Sequence, residues 1–190
     1  MEVAAKAMPV PPSLSTEVLG WARTANYDST IADDGDVQLR SLAGAPTRYF
    51  IRRRGPERLE LTQTDLGDAG GDTERPLLFV ADIAVLERFL IGHFADDIRE
   101  DLDLPFLDLP YDSHHVASGY VLSDMVRDYR TLTRSGHGPV AAAPDPALSL
   151  LALVPLSHFL GWPIRDLKRA FLDPAGAPLL RGGLYAQASM

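Results

Sequence analysis

Five histidines are the groups in this sequence best suited to proton transfer or metal ligation near neutral pH, and two are adjacent, in Asp112-Ser113-His114-His115. A carboxylate beside two imidazoles suits a divalent ion. Adjacent histidines are expected to point in different directions, however, and the spacing offers no further ligand or supporting partner. The segment therefore reads as a polar loop. His158, in Leu156-Ser157-His158-Phe159-Leu160, lies beside an apolar stripe with no nucleophile pattern near it. A half-buried imidazole bonded to the backbone is expected there. His93 follows Gly92 late in a helical stretch, where an imidazole tolerates the negative helix end. There is no Gly-x-Ser-x-Gly elbow, and Gly67, Gly70 and Gly71 stand among acids that would repel a phosphate. With no cysteine, thiolate catalysis, Cys-ligated zinc and disulfides are excluded. No catalytic, metal or cofactor residue is assigned, and the chain is expected not to be an enzyme.

What remains is charge. The net charge of −8 argues against a nucleic-acid surface and favours a partner that is locally basic. The acids gather in two stretches. Asp65, Asp68, Asp72 and Glu74 occupy a Gly/Asp-rich segment, and Asp96, Asp97, Glu100, Asp101 and Asp103 follow an apolar helix with Arg99 as the single base. If that helix continues to about Asp101, acids near its C-terminus are electrostatically unfavourable. Both stretches are expected to be exposed and are the candidate partner-binding residues. A competing pattern is Leu156–Phe171, where Arg165, Lys168 and Arg169 follow a glycine-containing turn as in a DNA-binding helix-turn-helix. Asp166 interrupts that basic set.

The elements that must position these residues are legible from periodicity. After a loose arm over residues 1–12, a single domain spans 13–190. Ser13 or Ser15 caps a first helix with Leu14, Val18, Trp21, Ala22 and Ala25 on one side. Runs at 27–32, 37–42, 48–53 and 58–64 roughly alternate apolar and polar residues between turn signals, as in an antiparallel meander. Asp65–Pro76 reads as an exposed loop. A strand is expected at 76–80, and Asp82 caps a second helix with Leu86, Phe89, Leu90 and Phe94 on one face. A hairpin at 119–134, a strand at 139–143 and two C-terminal helices follow; Pro155 must kink the first of these or delay its start. The expected class is α+β, an antiparallel sheet (meander plus hairpin) with about four helices packed on one face. Lacking a secretory signal and any run of roughly 18 apolar residues, the chain is expected to be cytoplasmic, without a membrane span.

An ordered set of stretches is similar to a known family. It comprises Thr47-Arg48-Tyr49-Phe50-Ile51, Val85 through Phe94, Ile98-Arg99, Leu104-Pro105, Leu156 through Leu160, Ile164 through Lys168, Ala170 through Asp173, and Gly176 through Leu179. Together they resemble the polymorphic-toxin immunity family that includes the immunity factor for tuberculosis necrotizing toxin. That resemblance implies an antitoxin that occludes the active site of a secreted NAD-hydrolysing toxin domain. It further implies no cofactor, no nucleic acid, and a free monomer that forms a 1:1 complex. Tyr49, Phe50, Phe89, Leu90, Phe94, Phe159 and Phe171 are then expected in the core, and the acidic segments at the interface.

Overall fold

The computed structural model describes residues 11–44, 47–66 and 72–187, the side chains of 65, 66 and 72 excepted. Most of the expected arm therefore lies outside the described residues, as does Asp68. Helix α1 (Thr16–Thr24) starts at Ser15, whose side chain accepts the Val18 N–H. It buries Val18, Trp21 and Ala22, and the Trp21 indole donates to the Ile91 carbonyl at 2.9 Å.

Strands β1 (Tyr27–Ile31), β2 (Val37–Ser41), β3 (Arg48–Arg53), β4 (Leu59–Leu66) and β5 (Asp72–Val80) form the meander. Past β5 the chain makes two helices, α2 (Ile83–His93) and α3 (Ala95–Asp101), and then β6 (Tyr120–Leu122), β7 (Tyr129–Arg134) and β8 (Gly138–Pro144). β8 returns to pair with β5, giving one eight-stranded sheet in the order β1-β2-β3-β4-β5-β8-β7-β6, antiparallel throughout. Helices α4 (Leu148–Phe159) and α5 (Ile164–Leu172) and a short hairpin of β9 (Leu180–Arg181) and β10 (Leu184–Tyr185) complete the fold.

Register explains which face is covered. Val37, Ile51, Leu61 and Leu78 lie opposite one another across four strands, and all are buried. Because successive strand residues point to opposite faces, this row and the neighbouring Leu39, Tyr49, Leu59 and Val80 make the floor on which the helices pack. The other face carries Gln38, Phe50, Arg52, Glu60, Thr62 and Thr64. Phe50 is thus not a core residue as expected: it lies on that polar face with the Arg52 guanidinium 4.9 Å over its ring. The remaining expected aromatics hold. Tyr49, Phe94, Phe159 and Phe171 are buried, and Phe89 packs against the core.

Three other expectations change. Asp65–Pro76 is not simply a loop, because β4 and β5 continue to pair as far as Leu66 opposite Asp72. Ladder hydrogen bonds carry the hairpin through residues whose composition suggests a turn. The helix capped by Asp82 does not run unbroken to Asp101 but divides at Phe94 into α2 and α3. Asp96 and Asp97 consequently occupy the first turn of α3, where the helix dipole favours acids instead of opposing them. Pro155 lies inside α4. Just before that helix, Asp145 accepts the Ala147 and Leu148 N–H groups at 2.9 and 3.0 Å.

Behind α3 lies the least expected contact. Arg99, 1% exposed, sends its guanidinium inward. It donates to the carbonyls of Pro105, Phe171, Asp173 and Pro174, the Phe171 bond being 2.6 Å. One side chain thereby ties the segment after α3 to the turn after α5. Gly176 closes that turn at φ +80°, and a Cβ there would crowd Leu180 and Leu107. Lysine cannot reproduce a planar fork serving four carbonyls. Arg99→Lys should destabilise the fold by about 3 kcal/mol, because buried acceptors lose their donor. Thermal unfolding followed by circular dichroism should then show a midpoint roughly 10 °C lower.

Candidate protein-interaction surface

The two acidic segments end up in different settings. On α3 and the turn that follows it, Asp96, Asp97, Glu100, Asp101 and Asp103 are all exposed. Their one sequence neighbour of opposite charge, Arg99, faces the interior. Among the described residues no lysine or arginine forms an ion pair with any of the five, although Asp101 accepts from the Asn26 side-chain amide at 2.8 Å. Burial against neighbouring atoms raises the Asp96 carboxyl above its ordinary range, opposed by the nearby Arg99 charge. Asp97 is also raised, by burial first and then by repulsion from Asp96, Glu100 and Asp101. Asp103 adopts a left-handed φ of 53° and ends the helix. This stretch is an acidic surface whose charge is not balanced locally.

Glu74 is different. It is bound by Arg52, which also holds Asp36 at 2.6 Å and Thr62 at 3.1 Å. The Arg52 hydrogen bond is the chief reason that the Glu74 carboxyl sits below its ordinary range. That network occupies the polar face of the sheet, away from the helices. Asp65 and Asp72 are ladder residues of β4 and β5. Glu74 therefore does not share the α3 surface, and its charge is already matched inside the molecule.

Sequence reasoning missed a groove beside α3. It is a cavity of about 500 Å³ bounded by β5, α2, the first residues of α3, the 106–111 segment and α4. Phe89, His93, Phe159 and Phe171 are among the side chains that line it. His93 makes ring contacts with Tyr49, Phe89 and Phe94, and desolvation pushes its pKa down to about 4. The imidazole is neutral at pH 7, and a packed groove wall, more than the helix end, sets its state. Gly92 leaves room for Phe159, whose ring a Cβ at that position would strike.

The other histidines follow their expected roles with one exception. His158 bonds through Nε2 with the His115 carbonyl at 2.6 Å and stacks on Tyr185 at 3.7 Å. His114 and His115 do not diverge: their rings are 4.0 Å apart, and one ligand atom each from Asp112, His114 and His115 lie within 4.8 Å of one another. The rings converge because a single 3-10 turn at Ser113–His115 carries both. Asp112 and His114 are exposed, and the 3.9 Å between Asp112 and His115 Nδ1 exceeds the roughly 3.3 Å between ligands of a tetrahedral zinc site.

The α4–α5 pair crosses at 118°, an angle a helix-turn-helix also uses. Its cations are diverted, however. Arg165 and Arg169 both approach Asp166 at 3.6 Å, and Lys168 lies 5.4 Å over the Trp21 ring. No single helix among the described residues is long and apolar enough to cross a membrane.

Comparison with known proteins adds the family. A model of "Immunity protein 61" matches residues 21–179. The chain belongs to this immunity protein family. It is 28% identical over 173 residues to the "Immunity factor for TNT" of Mycobacterium tuberculosis, covering 87% of this chain and 92% of that protein. The "Immunity factor for TNT homolog" of Mycobacterium bovis matches to the same extent. The solved structure "Rv3902c from M. tuberculosis" superposes with a TM-score of 0.75 at 25% identity, covering 97% of this chain and 98% of that one. The stretches that carry the resemblance in sequence meet inside this immunity fold. Arg99 joins three of them through Pro105, Phe171 and Asp173, and Phe159 packs edge-on against Phe171.

His93 makes a pH prediction. Its folded pKa, about 4, lies below its ordinary 6.5, so between those values the unfolded chain binds a proton that the folded chain does not. Stability from this residue is complete above pH 6.5 and is lost as pH falls toward 4. Unfolding midpoints measured from pH 7.5 down to about 4.5 should fall less steeply in His93→Gln than in the unsubstituted protein. Parallel curves would show that His93 is not desolvated.

Proposed function

We propose that this immunity protein binds a secreted NAD-hydrolysing toxin domain in the cytoplasm and occludes its active site. It does so as a monomer that forms a 1:1 complex, and it carries out no chemistry of its own. The observation that carries this reading is the family match across residues 21–179, together with relatives named as immunity factors for TNT along nearly the whole chain. An inhibitor of this kind needs a stable frame and a complementary surface, and no nucleophile, metal or cofactor.

The acidic surface of α3 supplies that complementarity. A domain that binds NAD must hold a pyrophosphate, so the mouth of its site is rich in cationic or N–H groups. Asp96, Asp97, Glu100, Asp101 and Asp103 match such a mouth in sign, and long-range attraction would speed encounter more than it tightens the final complex. Asp65, Asp68, Asp72 and Glu74 form the second proposed contact segment, with Glu74 the weakest member because Arg52 already engages it. DNA binding is less well supported, since Asp166 and Trp21 engage the α5 cations.

The test is co-expression with candidate secreted NAD-hydrolysing toxin domains. Complex formation should be seen by gel filtration, and cellular NAD should be preserved. Purified toxin activity that persists in the presence of a stoichiometric complex would refute active-site occlusion. Reversing Asp96, Asp97, Glu100 and Asp101 to lysine should slow association roughly tenfold or more at low salt, with the difference shrinking as salt is added. Neutralising the crowded carboxylate in Asp97→Asn should raise the unfolding midpoint by about 1–2 °C, because like-charge repulsion is relieved.

A further inference from the structure

Eleven large apolar side chains are strongly exposed among the described residues, and four of them border the single groove beside α3. They are Phe106 at 73%, Leu148 at 52%, Leu151 at 49% and Tyr111 at 46%. The others are dispersed, for example Ile31 on β1 and Val121 on β6. A contiguous apolar rim around a concave floor is what an interface core looks like before its partner arrives. Phe106 and Tyr111 are held there by construction, because Arg99 anchors Pro105 and the Tyr185 hydroxyl donates to the Pro110 carbonyl at 3.0 Å. The backbone of the 106–109 wall is thus clamped at both ends, and a preorganised wall loses little entropy on binding.

The charges around the groove select its occupant. Asp96 and Asp108 stand on it, and Asp97, Glu100 and Asp101 extend the same sign along α3. Arg75, the only lysine or arginine lining the groove among the described residues, is itself engaged within the protein. At the base, His93 makes ring contacts only, so its ring nitrogens have no hydrogen-bond partner among the described residues. The imidazole can offer one donor and one acceptor to an arriving polar group.

We propose that this groove is the anchor site for the toxin domain, and that it takes a segment presenting a large apolar side chain next to a lysine or arginine. The inference rests on the reading of the chain as a toxin inhibitor. The apolar side chain fills the space between Phe106 and Leu151, and the adjacent cation meets Asp96 and Asp108. The α3 acids then guide the approach, and the groove holds the complex. Mutations in the two places should differ accordingly, with acid reversal changing the association rate and groove substitutions changing the dissociation rate.

The probe is a purified secreted NAD-hydrolysing toxin domain, with binding followed by interferometry and inhibition by NAD consumption. Phe106→Ala and Leu151→Glu alter exposed positions, and unfolding midpoints within about 2 °C of the unsubstituted protein confirm that each folds. Each should dissociate at least about 100-fold faster, as loss of an interface anchor does. Ile31→Glu and Val121→Glu, equally apolar and exposed but far from the groove, should bind normally. The cysteine-free chain permits a second readout. A polarity-sensitive dye on Leu151→Cys should shift on adding the toxin domain, and the same dye on Val121→Cys should not.

Failure can be assigned. If the unsubstituted protein neither binds nor inhibits the domain, the inhibitor reading falls, and the anchor site falls with it. If it inhibits and Phe106→Ala and Leu151→Glu inhibit with unchanged dissociation, the anchor proposal alone is overturned. It is also overturned if Leu151→Glu converts a dimer to a monomer with toxin inhibition intact, since the groove would then serve a second copy of this chain.

Discussion

Arg99 is the constraint on which the helical half of this molecule depends. A guanidinium buried with carbonyl oxygens as its partners is expensive to desolvate, and it is tolerated because several donors find acceptors in fixed directions. Those acceptors belong to the chain after α3 and to the end of α5 with the turn that follows it, two places far apart in sequence. Removing the fork would leave the carbonyls without donors and free the 105–111 segment from the core. Nearby acids at Asp96 and Asp173 oppose the burial that pulls the Arg99 pKa down, so the charge is retained. The arrangement also turns the one base of an acidic helix away from solvent.

That inward turn links stability to function. With Arg99 committed to carbonyls, α3 shows water an almost unrelieved row of carboxylates, and Asp97 bears the repulsion of its neighbours. The cationic partner proposed for this surface would relieve that crowding. The same clamp holds the aromatic wall of the groove. Fold and candidate interface therefore share one residue, and the frame positions the surface without taking part in it.

The sheet contributes differently. Its helix-facing rows are apolar and in register, whereas its opposite face is organised by Arg52, Arg54 and their acids. Arg52 also donates to Thr62, which is buried on this face. Glu74 is drawn into this network, which is why an acidic segment that looks available in sequence is partly committed in the folded chain.

The sequence by itself determined the α+β class, the Asp82 cap, the buried stripe of α1 and the absence of cysteine chemistry. These depend on local periodicity and on side chains bonding within a few residues. It also carried the family, because the ordered stretches Val85–Phe94, Ile98-Arg99, Leu156–Leu160 and Ala170–Asp173 contribute residues that meet in the core. Only the tertiary structure decided the division of the second helix at Phe94, the continuation of strands β4 and β5 into the Gly/Asp stretch, and the displacement of Phe50 to the polar face. It alone showed Arg99 as a buried clamp and Phe106 and Leu151 as two rims of one groove. The reason is physical. An arginine among acids looks like a surface ion pair until its acceptors, carbonyls more than seventy residues away, are placed beside it. Neither a groove nor a register can be read from residues that touch only after the chain has folded.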